Sequence, residues 1–302
     1  MDLRDRGMTI LREDGFRSFV GRGLRFTGNR IIEGRKRDRK ADIVDSYSEG
    51  TKFLNIGGGT FLKEDWRVLD YYTDWYDYDP IFIDYTVDLE SRSTWPIATG
   101  EYDLVYTSHT LEHLTDEAVK HTFSEAQRIL KKGGTLRINV PDANVPIEHY
   151  EEGNIEWFED VRFDRYSEDV YNPRDKCSGY ELEFYLLSAV ASYLARIRYE
   201  ETDFSAVRDD FESMDKENFL QKYTNQIQNE WHNEYPGWHR NWFTPTRLVA
   251  LLRSAGFHDV EESRCRQSSE PEMCTEHFDM RPHMSAFAEG TKECVSVPDR
   301  NR

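Results

Sequence analysis

Lys52-Phe-Leu-Asn-Ile-Gly-Gly-Gly-Thr60 is the stretch whose reading decides the fold: a short apolar run that opens into three consecutive glycines. Three further strand-like runs follow in order. Asp70 closes the second and Asp88 follows the third. The fourth is Tyr102-Asp-Leu-Val-Tyr-Thr-Ser-His-Thr-Leu-Glu-His-Leu114. A single glycine cluster means little, but four strand ends that each carry a polar residue describe a nucleotide-type pocket on a doubly wound sheet. Strands are expected at 52–56, 67–70, 81–84, 102–106 and 135–140. A helix is expected over 115–130, where Ala118, Val119, Thr122, Phe123, Ala126, Ile129 and Leu130 recur at helical spacing before Lys132-Gly133-Gly134 stops it. Strands alternating with helices mean a parallel sheet.

The glycine turn lets a backbone approach a ligand that a side chain would exclude. A dinucleotide site would read GxGxxG and place its ribose carboxylate about 20 residues on. Here the turn reads Gly57-Gly58-Gly59-Thr-Phe-Leu62, and Asp70 follows Gly59 after 11 positions. The first crossover helix is therefore cut to a turn or so. That spacing disfavours pyrophosphate, and an oxidoreductase with it, while leaving room for a smaller ligand with a ribose.

The chain has 302 residues, suited to one large α/β domain with an insertion or to two small domains. No apolar run reaches the length of a membrane span, and Met1-Asp-Leu-Arg-Asp-Arg6 lacks the apolar core of a secretory signal. Four cysteines without CxxC pairing fit reduced thiols in a cytoplasmic protein and argue against a zinc framework. The formal charge of −18, with only 11 Lys among 39 basic residues, suits a salt-rich halophile cytoplasm or an ordinary acidic enzyme. Either field repels nucleic acid, so no nucleic-acid partner is expected.

Five segments follow. Residues 1–45 form a basic arm: positions 1–40 hold 12 basic against 6 acidic residues, with Phe16, Phe19, Val20 and Leu24 on one helical face. Gly15, Gly21 and Gly23 each weaken that helix by roughly 1 kcal/mol. The arm reads as an amphipathic element touching a membrane peripherally at its inner face, as a helix packed on the catalytic domain, or as a lid. Residues 46–142 are the cofactor-type core. Residues 143–238 are an aromatic-rich, mostly helical insertion placed to wall the substrate pocket. Residues 239–292 complete the sheet with a helix from Thr244-Pro245 to Gly256 and strands at 257–263 and 284–289, and 293–302 form a tail.

Leu54-Asn-Ile-Gly-Gly-Gly59, the short first crossover and Ser108-His-Thr-Leu-Glu-His113 together resemble the class I S-adenosylmethionine-dependent methyltransferases. The resemblance covers 52–142 and resumes over 239–292. The ending Phe278-Asp-Met-Arg-Pro-His-Met-Ser-Ala-Phe-Ala-Glu-Gly-Thr-Lys292 is similar to family members of glycan-assembly pathways, and the stretch from Leu11 to Arg25 is similar to the start of haloarchaeal glycan-pathway proteins. The resemblance implies an α/β, Rossmann-like sheet of five parallel strands plus a terminal antiparallel hairpin, with a helical insertion and an N-terminal helical arm. It implies S-adenosylmethionine as cofactor. Gly57, Gly58 and Gly59 would leave room for its methionyl part, and Asn55 would meet its amino group where many relatives carry an acid. Asp70 would accept both ribose hydroxyls, Asp88 with the Leu89 backbone would hold the adenine, and Ser108 and His109 would border the methyl-donor site.

Three further readings concern the acceptor and metals. His109 stands where an acceptor hydroxyl would sit and is the candidate general base. His109-Thr-Leu-Glu112-His113 also matches the HxxEH pattern of zinc peptidases. No further acidic ligand stands at a matching helical spacing, so no metal is expected, and Glu112 and His113 read as structural. His239, Arg240 and Trp242, with Gln267 and Arg281, form a polar cluster suited to an anionic sugar, since arginine grips carboxylates bidentately and tryptophan stacks on sugar rings; internal ion pairs would explain the same residues. The resulting expectation is O-methylation of a sugar or uronic acid in a surface glycan or its lipid-linked precursor. The alternatives are a protein, quinone or small-metabolite methyltransferase, or a non-catalytic cofactor-binding subunit.

Overall fold

The computed structural model of the chain describes residues 52–73, 80–160, 181–279 and 281–293. The expected arm lies outside them, as does the expected tail apart from Glu293. The strands are β1 Phe53–Ile56, β2 Trp66–Asp70, β3 Tyr85–Thr86, β4 Tyr102–Ser108, β5 Leu130–Pro141, β6 His258–Ser263 and β7 Ser285–Thr291. They form one seven-stranded sheet in the order β3-β2-β1-β4-β5-β7-β6. The first five pair in parallel, and β7 runs antiparallel to both β5 and β6. This is the expected sheet with its terminal antiparallel pair.

The central strands are apolar on both faces, which suits a parallel sheet covered on each side: Leu54, Ile56, Leu104, Val105, Ile138 and Val140 are all fully buried. Helix α1, Asp116–Ile129, starts at the Thr115 cap, whose Oγ1 accepts from the Ala118 N–H at 3.3 Å. Its buried residues are Ala118, Val119, Thr122, Phe123, Glu125, Ala126 and Ile129, which is the stripe expected from the spacing with Glu125 added and without Leu130. No separate turn intervenes before β5; Leu130 caps the helix and opens the strand, and Gly133 takes a left-handed φ of 78° within the strand's irregular start.

The strand expected at 81–84 is not there. Pro80 opens a 3-10 turn, Pro80–Phe82, closed by the Ile83 N–H on the Pro80 carbonyl. Proline's fixed φ and missing N–H suit a first-turn position. The Asp84 carboxylate then accepts from the Val68 N–H at 2.8 Å, so a side chain replaces a ladder bond and β3 is left with two residues.

Between β1 and β2 there is a turn and no helix, with Phe61 N–H on the Gly58 carbonyl. The sheet face that a first crossover helix would cover is instead sealed by aromatics. Trp66 packs against Phe53, Phe61, Tyr106 and Phe278, joined by Met273 from the loop before β7.

The insertion is helical: α2 Asn144–Glu151, α3 Ile155–Asp160, α4 Leu182–Val190, α5 Ser192–Arg196, α6 Phe204–Ser213, α7 Lys216–Thr224 and α8 Asn229–Glu234. It has its own core, built around Phe158, Phe184, Tyr185, Leu187, Tyr193 and Phe219. Helix α9, Pro245–Ser254, capped by Thr244, returns the chain to the sheet. Among the described residues no helix is long and apolar enough to cross a membrane.

Candidate active site

The carboxyl ends of β1, β2 and β4, with the turn after β3, converge on a cleft of about 350 Å³. Gly57, Gly59, Asp70, Asp88, Leu89 and His109 all line it. Gly57 has a φ of 68°, and a Cβ there would fall 2.1 Å from Thr110 Oγ1, so only glycine allows β1 and the turn after β4 to meet this closely. Gly59 also has a positive φ, but a Cβ there would meet nothing within 4 Å. That open space is the kind of cradle a ligand fills.

Asp70 is pinned at the end of β2 by two backbone donors: the Gly59 N–H on Oδ2 and the Tyr71 N–H on Oδ1, each at 2.7 Å. A carboxylate at a strand end is the acceptor a pair of ribose hydroxyls calls for. Asp88 caps the short 3-10 turn Leu89–Ser91, its Oδ1 accepting from the Glu90 N–H at 2.9 Å. Glu90 in turn takes the Thr115 N–H and hydroxyl at 2.6 and 2.9 Å, tying this wall to the start of α1. These groups fit S-adenosylmethionine: paired carboxylate acceptors for a ribose, a polar turn for an adenine, and a glycine bend free of side chains.

His109 follows β4 with a φ of 50°, a conformation non-glycine residues rarely adopt. Its Nδ1 lies 3.2 Å from Glu112 Oε1 and its Nε2 3.2 Å from Ser285 Oγ. With the ring proton on Nδ1, facing the carboxylate, Nε2 is the basic nitrogen, and it accepts from Ser285 Oγ when that hydroxyl turns from the Arg281 carbonyl, which it otherwise meets at 2.9 Å. Glu112 is fully buried; burial alone would raise its pKa, but the His109 contact and the charges of His113, His109 and His239 outweigh it and hold the carboxyl at about 2. For His239, burial prevails over the Glu112 charge and pushes the imidazole down to about 4.

The other expected site residues lie elsewhere. Asn55 is buried behind Gly58, 3.1 Å from where a Cβ on that glycine would stand, and does not line the cleft. Neither do Gly58 and Ser108; the Ser108 Oγ accepts from Asn139 at 3.0 Å. The polar cluster is dismantled by the fold. Arg240 is nearly buried on Asn229 at 2.7 Å, Trp242 is buried with the Arg247 guanidinium 4.1 Å over its ring, and His239 Nδ1 donates to the Ala189 carbonyl at 2.8 Å. Gln267 follows β6, and its carbonyl accepts from Arg137 at 2.9 Å. Arg281 is exposed on the turn before β7, and its carbonyl accepts from Ser285 Oγ. None of these five residues lines the cleft, and each makes a separate contact, Arg281 on an exposed turn.

Sequence reasoning missed Arg137, a fully buried guanidinium between Asp279, Glu289 and the Gln267 and Arg264 carbonyls; nothing in the alternating pattern of β5 marked it. It also missed Glu90, Thr110 and His113 in the cleft wall, and His232, Pro236 and Gly237, which the insertion contributes. The insertion thus walls the cleft, as its place after β5 suggested.

A family model for the methyltransferase domain matches residues 20–178. No curated protein matches the chain. Among solved structures, a Thermotoga maritima S-adenosylmethionine-dependent methyltransferase described as a possible histamine N-methyltransferase is 15% identical, with 91% of this chain and 96% of that chain covered and a TM-score of 0.36. An Archaeoglobus fulgidus counterpart is 13% identical over 86% of this chain and 94% of that one, with a TM-score of 0.38. The CurJ carbon methyltransferase is 12% identical over 86% of this chain, with a TM-score of 0.36, and this chain spans 54% of its length.

Proposed function

Because this chain belongs to the methyltransferase domain family, and is an S-adenosylmethionine-dependent methyltransferase, we propose that its acceptor is an oxygen on a sugar of a surface glycan or its lipid-linked precursor. The observation that carries the reading is the convergence of Gly57, Gly59, Asp70, Asp88 and His109 on one cleft. Asp70 would hold the cofactor's ribose, Asp88 and Leu89 its adenine, and the Gly57–Gly59 bend its methionyl end. When bound, S-adenosylmethionine supplies an electrophilic methyl group. The protein's own residues supply the rest: the cleft aligns the acceptor, and His109 Nε2 takes the hydroxyl proton as the oxygen attacks.

A hydroxyl is favoured over a uronic carboxylate for a specific reason. Among the described residues no arginine or lysine lines the cleft, whereas His113, His232 and Glu90 offer hydrogen bonds suited to a hydroxyl-rich acceptor. The acidic, Lys-poor composition and the haloarchaeal likeness of the arm support a setting in a salt-rich cytoplasm, with the arm bringing the enzyme to lipid-linked substrate at the inner membrane face.

The test is mass spectrometry of surface glycans from cells with and without this protein, joined to assay of His109→Ala. Loss of one methyl increment from a sugar, and near-complete loss of activity in the variant, are the expected results. Unchanged glycans would sink the saccharide reading, and a mild effect of the substitution would move the acceptor to a carboxylate.

A further inference from the structure

We infer that Glu112, His113 and His239 form a binding site for one divalent first-row transition ion at the inner wall of the cleft. The three can each offer one ligand atom, and those atoms lie within 4.8 Å of one another. Glu112 and His113 come from the 3-10 turn Leu111–His113 after β4, and His239 comes from the chain leaving the insertion. The Leu111–His113 turn is tied to the latter segment by the Glu112 carbonyl, which accepts from the Arg240 and Asn241 N–H groups at 2.8 and 3.0 Å.

The donor set is what calls for a cation. Glu112 is 1% exposed, its Oε1 has the Nδ1 of His109 3.2 Å away but out of line for a hydrogen bond, and its Oε2 has no donor. A buried carboxylate left that way is costly unless a positive charge meets it. Both imidazoles are oriented to help. His113 Nδ1 lies 3.2 Å from the Trp238 carbonyl and His239 Nδ1 lies 2.8 Å from the Ala189 carbonyl. A carbonyl only accepts, so each Nδ1 carries the proton and each neutral ring has its lone pair on Nε2. The His113 Nε2 points toward Glu112, 3.8 Å from Oε1, and the two rings meet edge to face at 5.3 Å. Two imidazole nitrogens and a carboxylate oxygen therefore face one another with no donor between them.

This is the ligand set of zinc and related ions, and a backbone carbonyl holding the far nitrogen of a histidine is the usual outer support of such a ligand. Metal bonds of about 2.0–2.2 Å require the three atoms to draw in by about 1 Å. The expectation of no metal rested on the lack of a further ligand at helical spacing; His239 is the ligand that only the tertiary structure supplies. His113 lines the cleft, so the ion's remaining positions open toward the acceptor. That an acceptor oxygen joins them rests on the methyl-transfer reading; the ion's binding does not.

Full-length protein stripped with chelator and titrated with Co²⁺ or Zn²⁺ should bind one ion per chain. Glu112→Gln and His113→Asn should each weaken that binding by more than about 100-fold, beyond the roughly 10–100-fold of losing an outer support. Circular dichroism reports whether each variant folds. A variant that does not fold leaves the decision to wild-type crystals soaked in Co²⁺, where an anomalous peak is expected about 2.0–2.2 Å from both Nε2 atoms. Absence of that peak, or titrations alike in wild type and folded Glu112→Gln, overturns the site and leaves a protonated imidazole as the counter-charge. S-adenosylmethionine binding, measured in parallel, separates the two readings: its loss in wild type sinks methyl transfer, while an absent cobalt peak with cofactor bound sinks the ion alone.

Discussion

Asp70 is held by two backbone N–H donors at 2.7 Å, and one of them, Gly59, belongs to the glycine bend. An amide at this position would turn one N–H toward a donor. Asp70→Asn should therefore weaken cofactor binding by about 1.5–3 kcal/mol, the range for hydrogen bonds to charged groups, read by calorimetry. The two positive-φ glycines make a sharper pair. Gly57→Ala drives a methyl into Thr110 and should cost about 1–3 kcal/mol of stability in urea unfolding. Gly59→Ala meets open space and carries only the strain of its positive φ, so it should cost about 1–2 kcal/mol while filling the cradle and lowering cofactor affinity. Equal stability losses in the two would contradict the geometry. Arg137 belongs to the same scale: Arg137→Met leaves Asp279 and Glu289 buried without their counter-charge and should cost about 3–5 kcal/mol.

At the scale of elements, Thr115 joins two walls of the site, capping α1 and carrying the Glu90 carboxylate that follows Asp88. Thr115→Ala should lower unfolding stability by about 1 kcal/mol as a lost cap, and should weaken cofactor binding as well because Glu90 loses the hydroxyl and keeps only the backbone half of its tether. A stability loss without any change in binding would mean the Asp88 turn is held independently. The helix was legible because its apolar positions recur at one period over four turns and a capping residue marks the start. The third strand was not. Ile81, Phe82 and Ile83 read as an apolar run, but a run that short suits a strand or a turn equally, and Pro80 together with the Asp84 bond to Val68 decided for the turn. The aromatic plug of Trp66 and Phe278 was likewise invisible, since its members lie more than 200 residues apart.

For the whole molecule, acid should destabilise the fold. Burial, reinforced by the charges of Arg240 and His113, pushes the His232 imidazole down to about 3, against an ordinary 6.5. Between those values the unfolded chain binds a proton that the native site refuses, so stability is present above about 6.5 and is lost as pH falls through the window. Glu289 acts with the same sign below the ordinary glutamate range: burial would raise it, but bonds from Ser269 and Ser268 and the Arg137 charge hold it lower. Urea unfolding at stepped pH should show this decline, and His232→Asn should flatten its upper part. A net charge of −18 also predicts that added salt raises the thermal midpoint by screening self-repulsion; a midpoint indifferent to salt would count against it. The sequence by itself determined the sheet, the short first crossover and the order in which Gly57, Asp70, Asp88 and His109 reach one edge, because period and chain direction are local properties that successive parallel strands align at the same end. Only the tertiary structure decided that the tryptophan–arginine run is packing, that Arg137 is buried, and that His239 meets Glu112 and His113. Those contacts join segments far apart in the chain, and which distant side chains share a space is set by how the insertion folds back over the sheet, a quantity no spacing along the chain encodes.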